Sequence, residues 1–183
     1  MIVTVYGGSE PKAGSPAYVE AEALGHSLAE NGFSAMTGGY MGTMEGVSKG
    51  CAENNGHVIG VTCDEIENWR AVGPNPWVME ERRTETLKAR LNVLVEDCDA
   101  AMALPGGVGT LTEVMLLWNQ LAIDALSNKP LILIGVGWRK VLQESLYSEL
   151  NQYIPERHRE LIHFVATPEA AVELLKKLLK RNQ

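Results

Sequence analysis

The stretch ALPGGVGTLTE, residues 103–113, places three glycines, a proline and two threonines just before a single glutamate, Glu113. A glycine-rich turn that opens a helix gathers free backbone N–H groups at the positive end of the helix dipole, where phosphate groups bind. A carboxylate one turn further on can polarise a water molecule or stabilise a positive charge. Thr110 and Glu113 also have the T-x-x-E spacing of a helix capping box, so a purely structural role stays open for both. The stretch predicts either a phosphate site beside an acid or a capped turn.

A carboxylate at this position would repel a bound phosphate, so the first interpretation requires a cation nearby. Arg90 is the best candidate, because it lies in the segment that leads into the strand before the loop. That segment is predicted to form one helix over residues 80–98, which also carries Arg82, Arg83 and Lys88. For Arg82 and Arg83 we favour a solvated helix face over a role in the site.

Short β-rich runs alternate with longer segments of helical periodicity along the chain. The predicted strands are MIVTVYG, FSAMTGG, HVIGVT, DAAMALP, KPLILIG and LIHFVA. The predicted helices include YVEAEALGHSLAENG, MEGVSKGCAENNG, GTLTEVMLLWNQLAIDALS, WRKVLQESLYSELNQYI and TPEAAVELLKKLLKR. Apolar strands that alternate with helices predict an α/β fold with a Rossmann-like doubly wound parallel sheet, in a single domain over residues 1–183.

Ligands of such folds bind at the carboxyl ends of the strands. Three glycine-rich stretches fall at those ends, namely GGSE, TGGYMG and PGGVGT. No G-x-x-x-x-G-K-[ST] occurs, and the first strand–helix turn lacks G-x-G-x-x-G, which argues against a Walker NTPase and a nicotinamide dinucleotide site. One Gly-Gly pair is explained by a turn with positive φ. Three of them at one edge favour a nucleoside monophosphate, with its phosphate, sugar and base.

The composition limits the other function classes. The 183 residues are 45% hydrophobic and 21% charged, as in an ordinary globular domain. The formal net charge of −7 argues against nucleic-acid binding, which needs a basic stripe. No apolar run approaches the ~20 residues of a membrane span, and MIVTVYGG enters a strand without a targeting segment. We therefore expect a cytoplasmic protein without nucleic-acid or membrane partners.

Metal and cofactor sites are not predicted. Cys51, Cys63 and Cys98 are far apart and form no C-x-x-C pair, so neither a disulfide framework nor a zinc cluster is expected. No histidine has the spacing of a metal ligand. Lys129 before Pro130 is interpreted as the start of a strand, rather than as a lysine that binds pyridoxal phosphate.

PGGVGTLTE resembles the P-G-G-x-G-T-x-x-E signature of the Lonely Guy (LOG) family, which is often labelled lysine decarboxylase-like. The resemblance covers nearly the whole chain. VYGGSE resembles the first glycine turn of the family, and TGGYMGTMEGVSKGCAENNGHVIGV resembles its second glycine loop with the helix and strand that follow. ARLNVLVEDCDAAMALPGG resembles the segment that carries the family's catalytic arginine.

Family members of known activity cleave the N-glycosidic bond of cytokinin riboside 5′-monophosphates, and often of AMP, to a free base and ribose 5-phosphate. The resemblance implies that Arg90 and Glu113 are the catalytic pair. It also implies a set of nucleotide-binding residues: Gly106, Gly107, Gly109 and Thr110 in the phosphate loop, with Ser9, Gly38 and Gly39 in the other two loops.

The sequence departs from the family pattern in two places. Leu91 stands where the family commonly has a lysine after the catalytic arginine, and Thr37 and Thr43 replace a glycine and a leucine of the second loop. TGG…MEGVSKG resembles a neighbouring branch that includes a molybdenum-cofactor carrier protein. A non-catalytic nucleotide or molybdenum-cofactor carrier is therefore the alternative to the hydrolase.

Two further expectations concern partners and specificity. The helix VMLLWNQLAIDAL has more apolar surface than one sheet face needs, and the family resemblance also implies a homodimer. We predict that part of this helix forms a dimer interface; a fully buried central helix is the alternative. The segment 64–79 breaks the strand–helix pattern, and we predict that it selects the base through Trp69 and Trp77.

Overall fold

The chain folds around a seven-stranded parallel sheet with helices on both faces. The computed structural model describes residues 1–126 and 129–181. The strands are β1 (Ile2–Tyr6), β2 (Ser34–Thr37), β3 (Val58–Cys63), β4 (Glu80–Thr84), β5 (Ala100–Ala103), β6 (Leu131–Ile134) and β7 (Ile162–Val165). Their order in the sheet is β4-β3-β2-β1-β5-β6-β7. The direction of winding reverses between β1 and β5, which confirms the predicted Rossmann-like α/β fold and marks the place where such folds bind ligands.

The helices lie between the strands in sequence. They are α1 (Pro16–Glu30), α2 (Thr43–Glu53), α3 (Asp64–Trp69), α4 (Leu87–Glu96), α5 (Val108–Ala122), α6 (Val136–Trp138), α7 (Tyr147–Glu149), α8 (Glu156–Arg159) and α9 (Pro168–Arg181). A π-helical segment, Arg139–Leu146, joins α6 to α7. The helix predicted to end at Ser127 ends at Ala122, and Ser127 itself lies outside the described residues. In the described ranges, no helix has both the length and the apolarity for a membrane crossing.

The core consists of two apolar layers, one on each face of the sheet. Successive residues of a strand point to opposite faces, so Ala101 packs into one layer and Met102 into the other. All six residues of β3 are buried, as expected for a strand covered on both faces. The sheet is therefore a rigid support for the loops at its carboxyl edge.

The edge strand β4 differs from the prediction. The expected helix over residues 80–98 is wrong at its start, because residues 80–84 pair with β3 and α4 begins only at Leu87, after Thr86 caps it. Charged side chains suit an edge strand that faces solvent. Arg82 pairs with Glu80 and Arg83 pairs with Asp64, so both arginines form ion pairs away from the predicted site.

Candidate active site

A cleft of about 550 Å³ opens at the carboxyl edge of the sheet. Seven of the predicted site residues line it, namely Ser9, Arg90, Gly106, Gly107, Gly109, Thr110 and Glu113. The predicted residues Gly38 and Gly39 do not line it. A second, shallower depression of about 690 Å³ is lined by none of the predicted site residues. The structure therefore brings most of the sequence-predicted site into one cleft.

The loop after β5 presents the N-terminus of α5 to this cleft. The helix begins at Val108 with Gly107 at the N-cap, and no side chain in the described part of the chain caps it. Thr110 is the third residue of the helix, so it cannot be the N-cap of a capping box, and that alternative is wrong. The first N–H groups of a helix have no partner within the helix. These N–H groups are therefore available to bind an anion, which the positive end of the helix dipole favours.

Glycine occupies the three positions of this loop for different structural reasons. A Cβ atom at Gly106 would lie 2.1 Å from the hydroxyl oxygen of Thr110, so Gly106 is required by packing. Cβ atoms at Gly107 and Gly109 would have no neighbour within 4 Å, and neither residue has a positive φ. Neither packing nor backbone conformation within the described chain requires glycine at these two positions. What glycine provides there is close access to the backbone N–H groups.

The first two glycine loops are joined by Thr43. Its backbone N–H and its hydroxyl both donate to the carbonyl of Gly8, at 2.9 and 3.0 Å. This contact fixes the loop after β1, in which Ser9 lines the cleft half-buried. Thr43 is one of the departures from the family pattern, and here it braces the site without lining it.

Arg90 and Glu113 meet at the floor of the cleft. They are 6% and 8% exposed, and Nη1 of Arg90 lies 3.8 Å from Oε1 of Glu113. The guanidinium is held from behind, because Nε donates to the carbonyl of Val61 at 2.7 Å and Nη2 donates to the carbonyl of Gly38 at 3.0 Å. It also lies 5.6 Å from the centre of the Tyr40 ring. Arg90 is thus fixed by the backbone, with Nη1 directed at the carboxylate.

Burial raises the pKa of Glu113 to about 7, against a smaller lowering by the charge of Arg90. A carboxylate with a pKa near neutrality can accept a proton or remain ionised under ordinary conditions. A pKa shift of this kind is typical of functional sites, because it combines burial with one specific charged partner in a cleft.

Gly38 and Gly39 lie outside the cleft, unlike the other predicted nucleotide-binding residues. A Cβ at Gly38 would lie 2.0 Å from Nη2 of Arg90, so this glycine makes room for the guanidinium. Gly39 has a φ of +77°, and its carbonyl accepts hydrogen bonds from Asn75. Neither residue lines the cleft, and the carbonyl of Gly38 holds Arg90 from behind, so a direct contact of this pair with the nucleotide stays a prediction.

The cleft residues that the sequence prediction missed include Tyr40, Met44, Ile66 and Arg70. The hydroxyl of Tyr40 accepts from the N–H of Cys63 at 2.8 Å, which fixes its ring. Trp69 and Trp77, through which the segment 64–79 is predicted to select the base, do not line the cleft, and Trp69 is 80% exposed. The segment 64–79 nevertheless forms a wall of the cleft, through Ile66 and Arg70.

Comparison with known proteins decides the family. Residues 44–175 match the family model described as "Possible lysine decarboxylase". The chain is 31% identical over 181 residues to the cytokinin riboside 5′-monophosphate phosphoribohydrolase LOG3 of Arabidopsis thaliana, covering 96% of this chain and 80% of that protein. The chain belongs to the LOG family. This confirms the resemblance inferred from the glycine loops.

Two other similar proteins show how varied the named functions of this fold are. The rice (Oryza sativa subsp. japonica) protein named "Probable cytokinin riboside 5'-monophosphate phosphoribohydrolase LOGL5" is 34% identical over 137 residues, 73% of this chain. The chain spans about half of that relative's length, 54%. Among solved structures, the molybdenum cofactor binding protein of Rippkaea orientalis has a TM-score of 0.74 at 26% identity, covering 97% of this chain and 96% of that one. The LOG fold is therefore shared by proteins named for hydrolysis and for cofactor binding.

Proposed function

We propose that this protein hydrolyses the N-glycosidic bond of a purine riboside 5′-monophosphate, such as AMP or a cytokinin riboside 5′-monophosphate, to the free base and ribose 5-phosphate. The observation that carries the proposal is the buried Arg90–Glu113 pair, which lies in the same cleft as the uncapped N-terminus of α5. The Glu113 carboxylate suits a developing positive charge, and the N-terminus of α5 suits a phosphate. A nucleoside monophosphate presents both.

The phosphate binds at the N-terminus of α5 in this proposal. Gly107, Val108 and Gly109 line this end of the cleft and supply the first N–H groups of α5, and the helix dipole favours a dianion there. Binding energy from this remote group holds the ribose in place and so lowers the barrier at C1′.

Glu113 acts on the reacting carbon. In the proposed reaction, the bond between C1′ and the base nitrogen breaks, and its electron pair leaves with the base, which takes up a proton. Ionised Glu113 stabilises the oxocarbenium-like transition state and assists the attack of water at C1′. Arg90 orients the carboxylate and offsets its repulsion from the phosphate. Because the pKa of Glu113 is about 7, the rate rises as the pH increases through neutrality.

The test compares the wild type with Glu113→Gln, using release of free base from AMP measured by chromatography. We expect turnover to fall by about two to four orders of magnitude, with little change in nucleotide affinity. Glu96→Gln is the matched control, because Glu96 is an exposed glutamate at the end of α4. Equal rates for the wild type and Glu113→Gln would refute the catalytic assignment.

A carrier function is the second candidate, and the near-complete match to the molybdenum cofactor binding protein of Rippkaea orientalis favours it. A carrier would use the same phosphate site without bond cleavage. Incubation with AMP separates the two functions. A nucleotide that raises the melting temperature and is recovered intact supports the carrier, whereas free adenine supports the hydrolase.

We also propose that the protein forms a homodimer through α5 and the helical segment 136–149. One side of α5 packs in the core through Val114 and Leu117, so the fully buried alternative does not hold for the whole helix. Its other side forms an apolar groove of about 310 Å³, lined by Leu111, Met115, Val141, Leu146 and Leu150 among others. Sedimentation is expected to give twice the 20.0 kDa of one chain. A single-chain mass at micromolar concentration would refute the dimer.

A further inference from the structure

Gly39 is held on both of its sides by buried polar side chains. Its N–H donates to the hydroxyl of Thr37 at 3.1 Å. Its carbonyl accepts from the side-chain amide of Asn75 at 3.1 Å and from the backbone N–H of Asn75 at 2.7 Å. Thr37 and Asn75 are both buried, and neither lines the cleft. Both side chains therefore act inside the protein, on the loop that follows β2.

Ser48 of α2 joins these two side chains into one hydrogen-bonded network. Its hydroxyl donates to the carbonyl of Met44 at 2.9 Å, so it accepts from the hydroxyl of Thr37 at 3.3 Å and from the side-chain amide of Asn75 at 3.4 Å. A hydroxyl has one proton to donate, which fixes the direction of each bond. The oxygen of Thr37 is then left to accept the N–H of Gly39. A buried network in which every member has a partner is rigid.

Two prolines present Asn75 to this loop. Pro74 and Pro76 flank it, and they restrict the backbone on both sides, so less conformational entropy is lost when the side chain is ordered. The amide nitrogen of Asn75 also donates to the carbonyl of Tyr40 at 3.0 Å. The ring of Tyr40 lies 5.6 Å from the guanidinium carbon of Arg90, within the range of a cation–π contact. Asn75 thus reaches Arg90 through the residue that packs against it.

The peptide group that Thr37 holds is the one that holds Arg90. The N–H of Gly39 and the carbonyl of Gly38 belong to the same peptide, which is planar, so fixing one of them fixes the other. The N–H binds Thr37, and the carbonyl accepts from Nη2 of Arg90 at 3.0 Å. The orientation of this peptide sets where Nη2 lies, and with it the direction of Nη1, which is 3.8 Å from Oε1 of Glu113.

We propose that Thr37 and Asn75 are positioning residues, which hold the Gly38 carbonyl and the Tyr40 ring so that Arg90 stays directed at Glu113. The effect on catalysis rests on the proposed function, whereas the effect on Arg90 belongs to the free protein. Thr37 is one of the departures from the family pattern, where a glycine stands. Glycine has no hydroxyl, so this protein holds the peptide by a contact that the pattern residue cannot make.

Loss of either contact should change the charge interaction at Glu113. Burial raises the pKa of this carboxyl to about 7, and the charge of Arg90 lowers it by a smaller amount. Tyr6 of β1 also faces the carboxylate. Burial first, and the charges of Cys98 and Glu113 after it, hold the pKa of Tyr6 well above its usual value, so Tyr6 stays neutral. When the guanidinium moves away, it lowers the pKa of Glu113 less, so that pKa rises.

The first experiment measures the pKa of Glu113 in the free protein, from the ¹³C chemical shift of its carboxyl during a pH titration. The variants are Thr37→Val, which removes the hydroxyl and keeps the shape, and Asn75→Ala. We expect the pKa of Glu113 to rise by about 0.5–1 in both. Thr37→Ser keeps the hydroxyl and should restore the wild-type value. An unchanged pKa in Thr37→Val and Asn75→Ala would overturn the proposal.

Val172→Ala is the matched control for lost stability. Val172 is a buried residue of α9 and does not line the cleft. Its truncation should lower the free energy of unfolding and leave the pKa of Glu113 at the wild-type value. If Val172→Ala raises that pKa as much as Thr37→Val does, the rise reflects loosened packing and the positioning role is refuted. Thr37→Val carries the test alone if Asn75→Ala does not fold.

The second experiment measures the hydrolysis of AMP by the same variants. We expect kcat to fall by about tenfold in Thr37→Val and Asn75→Ala, with KM changed by less than about twofold, because the network does not touch the N-terminus of α5. The pH at half-maximal kcat should rise together with the pKa of Glu113. A raised KM with an unchanged kcat would overturn the positioning role.

The two experiments also separate positioning from the proposed function. If the pKa of Glu113 rises in the variants but the wild type releases no base from AMP, Thr37 and Asn75 do position Arg90 and the hydrolase is wrong. If the wild type hydrolyses AMP and both variants keep its kcat and its pH dependence, the hydrolase stands and the positioning role is wrong.

Discussion

Two glycine pairs at the same edge of the sheet have opposite surroundings. Gly38 and Gly39 follow β2 and are buried, and a Cβ at Gly38 would meet Nη2 of Arg90 at 2.0 Å and Sδ of Met44 at 2.6 Å. Gly107 and Gly109 follow β5 and are exposed, and a Cβ at either would meet nothing within 4 Å. The first pair is required by the protein itself, whereas the second keeps backbone N–H groups open to a ligand. The glycines of a loop sequence do not by themselves distinguish these two reasons.

Among variants that compare the two glycine pairs, Gly38→Ala has the largest expected effect. The added methyl group displaces Arg90 and with it the partner of Glu113, so we expect turnover to fall by about 100-fold and the free energy of unfolding to fall by about 1–3 kcal/mol. Steady-state hydrolysis of nucleotide and denaturant unfolding measure the two effects.

Gly137→Ala is the control for this variant, because a Cβ at Gly137, unlike one at Gly38, would have no neighbour within 4 Å. If Gly38→Ala turns over as fast as the wild type, Arg90 tolerates displacement. The difference between the two glycine pairs would then have no effect on catalysis.

The second effect is a pH dependence of the free energy of unfolding, which arises from the buried carboxylate of Glu113. The pKa of Glu113 is about 7 in the folded protein, above the ordinary value of 4.5. Its contribution to stability is therefore complete below about pH 4.5 and is lost as the pH rises through 7. Glu113→Gln resembles the protonated form, so we expect it to be more stable than the wild type by about 3 kcal/mol at pH 8.

The difference between these two proteins should vanish near pH 4, as measured by urea unfolding at both pH values. Gly137→Ala should leave this dependence unchanged, because Gly137 is exposed and does not line the cleft. A wild type that is more stable than Glu113→Gln at pH 8 would mean that the ion pair outweighs the cost of burial.

The smallest effect, with two opposite signs, is expected for Gly109→Ala. Alanine favours helix over glycine, so the free energy of unfolding should rise by up to about 0.5–1 kcal/mol. The methyl group stands where a phosphate would approach, so KM for nucleotide should rise by about tenfold with kcat little changed, as expected for weakened charge-assisted hydrogen bonds. Thermal unfolding and initial-rate kinetics measure both signs in one variant. An unchanged KM would remove the phosphate from this loop.

Much of the fold could be predicted, because six strands are apolar runs bounded by glycine or proline. The seventh, β4, could not, since its residues EERRT carry no apolar signal and are held by pairing with β3 and by ion pairs at the edge. The start of α5 was also ambiguous, because the spacing of Thr110 and Glu113 fits a capping box. The structure places Thr110 inside the helix, where its side chain packs on Gly106.

The site could be predicted where a local motif carries it and not where the topology assembles it. Arg90 and Glu113 were inferred from their places before and after the loop that follows β5, and they do meet in the structure. Arg70 gave no signal, because the segment 64–79 has no periodicity and its approach to the cleft depends on strand order. Tyr40 and Met44 stand inside the motif TGGYMG and its following residues, so an apolar pair next to a glycine loop was the signal available for them.

The anchoring of Arg90 has a consequence for how this family can diversify. Its guanidinium is fixed by the carbonyls of Val61 and Gly38, which are main-chain groups that no side-chain replacement removes. The wall that contains Arg70, in contrast, is built from side chains of a short helix and an irregular segment. Point mutations in that wall can therefore alter which molecule is accepted while the Arg90–Glu113 pair at the floor is retained. Divergence of ligand among relatives, with the fold and the floor retained, is the expected evolutionary result.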